Sequence, residues 1–437
     1  MSRIPKVVLL IESSRASGRN LLQGIADYAH HHGPWSFYWE PGGLEKAWPV
    51  LKTFDADGII LRDVDKLDEV LAFGMPAVVV GHRSEEVSGL VNVVTDSAAI
   101  GRMAAEHLLH CGFRHFAFCG YASTPLEHAP WSELRRQSFS ERITQAGFQP
   151  PPHHLLLPTR TDWQEERRAL ARWLESLSKP LGLLACNDDC GQQVMEACKL
   201  ANLPVPDVVG VIGADNDQVV CGLSNPPLSS IAVSFQRAGY EAAEALDRLM
   251  HGAKRIPPKI TARATHVVAR RSTDVVAVED HYLAKALRFI RDHDREPLSV
   301  DDVARAAGLS RRALEKRFRQ ELGHSILHGV RRARTEQIAR LLVETQLPVG
   351  HIAESLGFED VQHFARYFRA ARQMSPLAYR KQYSAHATRR CAQNGESFPQ
   401  SGVVWHAEDD EYYIRSPIKL TVNVQGRGLQ TARRKAC

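Results

Sequence analysis

The sequence predicts an α/β fold of two doubly wound parallel-sheet lobes, followed by an all-α domain built on a double helix-turn-helix. Three observations predict it. Short apolar runs recur through the first 270 residues, separated by stretches of helical periodicity. A helix–turn–helix pattern then occurs twice, offset by 49 to 50 residues. The excess positive charge of the chain is confined to that repeated segment.

The apolar runs lie at 7–11, 58–61, 77–80, 91–94, 116–119, 181–186 and 208–213. They are apolar on successive rather than alternate residues, as strands covered on both faces of a parallel sheet must be. Between them Leu21, Ile25 and Ala29 share one helical face. Ile100, Ala104 and Leu108 share another, and Ala238, Ala242, Ala245 and Leu249 a third. The alternation repeats too often for one small sheet. Two lobes are therefore expected, with their strand ends facing each other across a cleft.

The 437 residues suffice for two or three domains, and 44% hydrophobic and 24% charged residues are ordinary for a globular chain. No stretch has the apolar length of a membrane span. The run at 7–11 is too short for the core of a signal peptide. The expected compartment is the cytoplasm. The eight cysteines are scattered, and Cys186 and Cys190 have no second Cys or His pair at zinc spacing. They are expected as buried reduced thiols, with no metal and no cofactor.

Several segments in register sharpen the picture. They are 91–96, 111–120, Leu183 to Asp188, Leu203 to Pro206, Val211 to Asn216 and Pro226 to Ile231. Their order and spacing resemble the effector domains of LacI/GalR regulators, themselves similar to periplasmic sugar-binding proteins. The resemblance covers about residues 5–272 and implies a domain over 1–272 that binds a small sugar. It departs from the family in one respect: LacI/GalR proteins carry a DNA-binding module ahead of this domain.

Asp188, Asp215 and Asn216 follow apolar strands. A carboxylate at a strand end, aimed into a cleft, can accept two hydroxyl hydrogen bonds of the stronger, charge-assisted kind. The resemblance likewise assigns ligand contact to this pair of strand ends. The competing explanation for Asp188 and Asp215 is capping of the next helix, which is how Asp96 is read. Ser13 and Arg15, after the first strand, face the same mouth from the other lobe, where loop polarity is the common alternative. Arg62, Asp63 and His82 are further cleft candidates.

A linker is expected at 273–282 and a helical domain at 283–384. Leu283, Leu287 and Ile290 share a helical face. Ser299 caps a short helix that Gly308 ends, and Ser310 caps the next over 311–322. Val303-Ala-Arg-Ala-Ala-Gly308 matches Ile352-Ala-Glu-Ser-Leu-Gly357, offset by 49. Leu314-Glu-Lys-Arg-Phe318 matches Phe364-Ala-Arg-Tyr-Phe368, offset by 50. A helix over 331–342, with Ile338, Leu341 and Leu342 inward, joins the copies. Two such motifs on one helix can meet successive major-groove segments about 34 Å apart. From Ser299 to Tyr383 there are 15 Lys+Arg against 9 Asp+Glu, while the rest of the chain has 40 against 41. A basic module on a neutral one suits a polyanion.

Ser310, Leu314 to Phe318, Ile352 to Phe358, Phe364, Phe368, Ser375-Pro376 and Tyr379-Arg380 closely resemble the AraC/XylS DNA-binding domain over 280–383. Gln373-Met374 departs from the glycine often found before the final Ser-Pro. An AraC-type domain behind a LacI-like sensor is an unusual pairing, and it resembles that of xylose-operon regulators. The resemblance implies an activator of sugar-catabolism genes. Its partners would be a double-stranded DNA operator, a small sugar effector with xylose first, a second copy in a homodimer, and RNA polymerase. In such a module Arg312, Glu315 and Lys316 are placed to reach base edges, and Arg311 and Arg319 to bind phosphate. In the second copy Gln362 and Arg366 are the expected base readers, with Val361 and Ala365 beside them. Solvated helix faces are the plain alternative for any one of these. The tail at 385–437 is expected to be poorly ordered. The rival function is a sugar-acting α/β enzyme with a nucleic-acid-binding appendage. No phosphate-loop, nucleophile-elbow or dinucleotide fingerprint supports it, and no catalytic residue is assigned.

Overall fold

The computed structural model describes residues 3–41, 55–62, 67–81, 86–123, 129–157, 163–253, 255–274 and 280–384. The expected linker core at 275–279 and the tail at 385–437 lie outside them, as do Asp63 and His82.

The chain begins with β1 (Lys6–Leu10), α1 (Ala16–His32), β2 (Ser36–Trp39), β3 (Gly58–Arg62), α2 (Leu67–Leu71), β4 (Ala77–Val80) and β5 (Val91–Thr95). It continues through α3 (Ser97–His110), β6 (His115–Tyr121), α4 (Pro130–Gln145), β7 (His153–Leu156), α5 (Trp163–Ser176) and β8 (Leu181–Ala185). Then come α6 (Asp188–Leu200), β9 (Val209–Ala214), α7 (Gln218–Leu223), β10 (Ser229–Val233), α8 (Phe235–Met250), β11 (Lys259–Ala262) and β12 (Ala264–Val268).

The strands form two six-stranded sheets, ordered β11-β5-β4-β3-β1-β2 and β12-β10-β9-β8-β6-β7. The pairs are parallel except β10 with β12. The first sheet explains its own sequence. Val7, Leu9 and Ile60 bury one face, and Val8, Leu10, Ile59 and Leu61 bury the other, so the strand interiors are apolar on both faces and the charged residues, Lys6 and Arg62, stand only at the ends. In each sheet the strand order reverses beside the first strand, between β1 and β3 and between β6 and β8, and open α/β sheets characteristically bind ligands at the carboxyl ends of strands at such a point. The chain crosses between lobes three times, after β5, β10 and β11. The crossings are bonded together: Asp96 N–H donates to Ala262 O at 2.9 Å, and Ser234 N–H to Arg263 O at 2.9 Å. This is the geometry of a hinge.

The helical domain holds α9 (His281–Asp292), α10 (Val300–Ala307), α11 (Arg311–Leu322), α12 (Ile326–Glu344), α13 (Val349–Ser355), α14 (Val361–Arg372) and α15 (Pro376–Tyr383). Its two motifs have separate cores. Leu283, Ile290, Val303, Leu314, Phe318 and Ile326 form one; Ile338, Leu342, Ile352, Phe364, Phe368 and Tyr379 form the other. α12 contributes to both and fixes their spacing. Ser299 and Ser310 cap as the sequence predicts, Ser299 in a capping box with Asp302. Asp96 also caps, accepting from Ala99 N–H.

The repeat extends to a detail of the backbone. α11 ends at Gly323 with φ 73°, and α14 ends at Gln373 with φ 55°, both left-handed. Glycine adopts this conformation freely and glutamine does not, at a cost of roughly 1–2 kcal/mol. Gln373→Gly is therefore expected to stabilise the protein by roughly 0.5–1 kcal/mol once the extra freedom of the unfolded chain is offset. A urea midpoint that falls on this substitution would mean that the left-handed cap is absent.

Candidate functional sites: a cleft between the lobes and a basic helical face

A cleft of about 1150 Å³ opens where the two sets of strand ends meet. Of the sequence-predicted residues, Arg15, Arg62, Asp188 and Asp215 line it. Ser13 and Asn216 do not line it. Ser13 offers its backbone oxygen to Arg19 at 3.0 Å. Asn216 turns to a smaller neighbouring hollow, its amide oxygen accepting from Arg270 at 2.7 Å. Ser13 and Asn216 thus bond to neighbouring segments outside the cleft lining.

Neither Asp188 nor Asp215 caps a helix; Asn187 caps α6 and Asp217 caps α7. The two aspartates differ in availability. Asp188 is only 3% exposed. Its carboxylate accepts Asp217 N–H at 2.7 Å and Ser230 O–H at 2.6 Å. Burial, then the nearby Asp215 charge, push its pKa well above the usual carboxylate range. Asp188 thus organises the floor, with both oxygens already engaged. Asp215 is more open and faces Arg135, whose guanidinium reaches it at 3.2 Å. Asp215 and Asn216 have φ of 95° and 52°. Such backbone strain in non-glycine residues persists only where neighbours over-determine it. Here Asp215 N–H donates to Ile231 O at 2.9 Å and Asn216 N–H to Ser230 Oγ at 3.0 Å.

Four cleft-lining residues escaped the sequence reading: Trp131, Arg135, Asp189 and Asp217. Trp131 and Arg135 sit one helical turn apart on α4 and line the cleft. Arg135 is nearly fully buried, donates to Cys186 O, and lies 4.9 Å over the Trp131 ring. The spacing of four was visible, but both residues lie in a helix whose polar and apolar faces are poorly separated. Asp189 and Asp217 act across the cleft. Arg15 of the first lobe is ion-paired with Asp189 of the second. Asp217, also of the second lobe, accepts Ala16 N–H at 2.8 Å, and its two carboxylate oxygens share the Arg19 Nη2 donor at 2.8 and 3.0 Å. Burial works to raise the Asp217 pKa, but the Ala16 N–H and the Arg19 guanidinium more than offset it and hold the carboxyl below its usual range. The lobes are therefore joined, where β1 leads into α1, by carboxyl–guanidinium pairs and the Ala16 N–H.

The second candidate surface lies on α11 and α14. Arg311, Arg312, Lys316 and Arg319 are exposed on α11, and Gln362 and Arg366 on α14. Val361 is exposed beside them, and Ala365 is half-buried. Glu315 departs from its expected role. Its carboxylate accepts Ile326 N–H at 3.2 Å, at the start of α12, and pairs with Arg319 at 3.3 Å. A free helix N–H one turn away competes for that carboxylate, and the sequence spacing alone did not reveal the turn. Phe318, Phe364 and Phe368 are fully buried core residues. Arg334 braces the second motif, donating to Leu356 O with its guanidinium 4.0 Å over the Phe358 ring. Among the described residues no helix is long and apolar enough to cross a membrane.

A family model of the periplasmic binding protein-like domain matches residues 105–273, and one of a helix-turn-helix domain matches 303–382. The xylose operon regulatory protein of Escherichia coli (strain K12) is 29% identical over 381 residues, covering 86% of this chain and 96% of that protein. The multiple antibiotic resistance protein MarA of Salmonella typhimurium is 32% identical over 113 residues, which are 26% of this chain and 85% of MarA. A solved structure of the xylose-binding transcription activator xylR matches with a TM-score of 0.56 at 28% identity, over 88% of this chain and 99% of that one.

Proposed function

This chain belongs to the AraC/XylS-type regulators, in the form that sets a LacI/GalR-like, periplasmic-binding-protein-like domain ahead of the DNA-binding one, and we propose that xylose, bound in its cleft, controls it. It is a sugar-responsive, DNA-binding transcription regulator. The observation that carries the xylose reading is similarity along nearly the whole length of the xylose operon relatives, sensor and DNA-binding domain alike. In this reading residues 1–272 form the sensor and 283–384 the DNA-binding domain. The protein works in the cytoplasm as a homodimer on a double-stranded operator, and as an activator it engages RNA polymerase.

Asp215 and Arg135 supply acceptor and donor to sugar hydroxyls, and the Trp131 ring offers an apolar face to the sugar's C–H groups. Arg15 contributes from the facing lobe. Arg312, Lys316, Gln362 and Arg366 read bases, and Arg311 and Arg319 hold phosphates.

A ligand that binds only the folded protein stabilises it by RT ln(1 + [L]/Kd), about 1.4 kcal/mol at tenfold Kd. D-xylose is therefore expected to raise the thermal midpoint of the full chain, with D-ribose, L-arabinose and D-glucose as comparisons. Asp215→Ala should remove the rise. A stronger response to one of the other sugars replaces xylose as effector; no response to any sugar rejects a sugar effector.

A further inference from the structure

The cleft and the DNA-binding helices are joined by a short buried seam. Thr265 and His266 are consecutive on β12, 2% and 1% exposed. The His266 imidazole Nε2 lies 3.0 Å from the Glu344 carboxylate, at the end of α12. The Tyr379 hydroxyl, on α15, donates to Thr265 O at 2.8 Å. The Tyr379 ring packs edge-on against Phe368 of α14, with centroids 5.1 Å apart. Two neighbouring residues of one strand thus hold two different helices beneath the second recognition helix. Such a pair of contacts defines an orientation as well as a position. The first motif meets the sensor differently, through the exposed pair Arg114–Glu321 at 2.5 Å and a group of imidazoles, His110, His324 and His328. Exposed pairs of that kind hold geometry weakly.

The seam connects backward to the cleft without a break. β12 pairs with β10, Ala232 opposite His266 and Ser230 opposite Val268. The Thr265 hydroxyl donates to Ala232 O at 3.1 Å. Ser230 of β10 holds Asp188, Asp188 holds Asp217 N–H, and Asp217 holds the N-terminal turn of α1 across the cleft. A change in how the lobes meet therefore reaches β12 through hydrogen-bonded groups, most of them buried, and packed interiors transmit displacement rather than absorb it.

We propose that Thr265, His266, Glu344 and Tyr379 are positioning residues, the joint through which the state of the sugar cleft sets the placement of the second recognition helix. The proposal rests on the chain being a sugar-responsive regulator. It adds where the response passes from sensor to DNA. Coupling of this kind is a free energy shared by two sites, so it is tested by non-additivity rather than by loss of either function.

The experiment is a mutant cycle on the full chain, with the tightest duplex that the protein selects from a random-sequence pool as probe. Asp217→Asn alters the lobe contact, and Glu344→Met with Tyr379→Phe removes both hydrogen-bonding groups of the seam while keeping side chains of similar size. Without sugar, Asp217→Asn should change duplex affinity about fivefold or more with the native seam, and less than about twofold with the altered one. D-xylose should show the same contrast in the protein with native Asp217, while its own affinity for the seam variant in the absence of DNA is unchanged. Equal effects in both seam backgrounds, or no effect of Asp217→Asn with the native seam, overturn the joint. A native protein indifferent to D-xylose, with the cycle still non-additive, rejects the effector and leaves the joint standing. Tyr379→Phe alone, which lacks one hydroxyl, repeats the test should the double variant prove unstable.

Discussion

Gly239→Val is expected to destabilise the sensor by ~3 kcal/mol or more. The reason is a backbone-to-backbone crossing of α1 and α8. A Cβ on Gly239 would lie 2.1 Å from Leu21 O, and one on Gly24 would lie 1.9 Å from Gln236 O. The atoms in the way are main chain, so no rotamer change relieves the clash and the helices must part. Parting them opens space around Leu21, Ile25, Ala242 and Leu246, each at most 1% exposed. Lost contact there adds a cavity term to the steric one. The N-terminal turn of α1 also carries Ala16 and Arg19, the partners of Asp217, so the variant should lose sugar response before it loses its fold. Urea unfolding followed by circular dichroism measures the first effect. A midpoint within about 0.5 kcal/mol of the parent, as for an ordinary surface change, would show that the two helices do not cross at these glycines.

That crossing marks where the sequence stopped being legible. The two faces were visible, Leu21, Ile25 and Ala29 on one helix and Ala238, Ala242 and Ala245 on the other. Nothing in their periodicity says that they face each other from positions more than 200 residues apart. The strands divide in the same way. The seven apolar runs are interior strands, apolar because both sheet faces are covered. β2, β7, β11 and β12 lie at sheet edges or next to solvent and carry residues such as Ser36, His153, Lys259 and His266. β10 is interior, but its Ser229 and Ser230 hydroxyls are bonded partners of other segments, and a serine pair does not announce a strand. The doubled motif was the most legible part, since its caps, turns and core residues are local and occur twice. In the cleft, strand-end polarity led to Asp188 and Asp215 but not to Asp217, two residues later. Its role depends on Ala16 and Arg19, about 200 residues earlier in the chain, which only the tertiary fold brings near.

Arg366→Ala and Arg319→Ala are expected to weaken DNA binding in different ways. Arg366 lies one turn after Gln362 on α14, and both are exposed on the same face while Phe364 and Phe368 anchor the opposite one. If that face enters the major groove, Arg366 pairs with a base edge, and its loss should remove about 1–3 kcal/mol of discrimination at one position of each half-site. Arg319 stands near the end of α11, 70% exposed. Its charge is partly engaged by Glu315, which is itself bonded to Ile326 N–H. That arrangement suits a phosphate contact: the guanidinium is steered by a fixed carboxylate but remains open to solvent and backbone. Its loss should weaken all sequences alike and lower the salt slope by about one unit. Glu315→Gln should then leave base preference unchanged, because its carboxylate serves α12 and Arg319 rather than a base. Affinities for a panel of single-base duplex variants at two salt concentrations separate these outcomes. Should Arg319→Ala shift the preferred base while Arg366→Ala weakens every variant equally, α11 rather than α14 presents its C-terminal half to the groove. The assignment of readers along both helices would then have to be reversed.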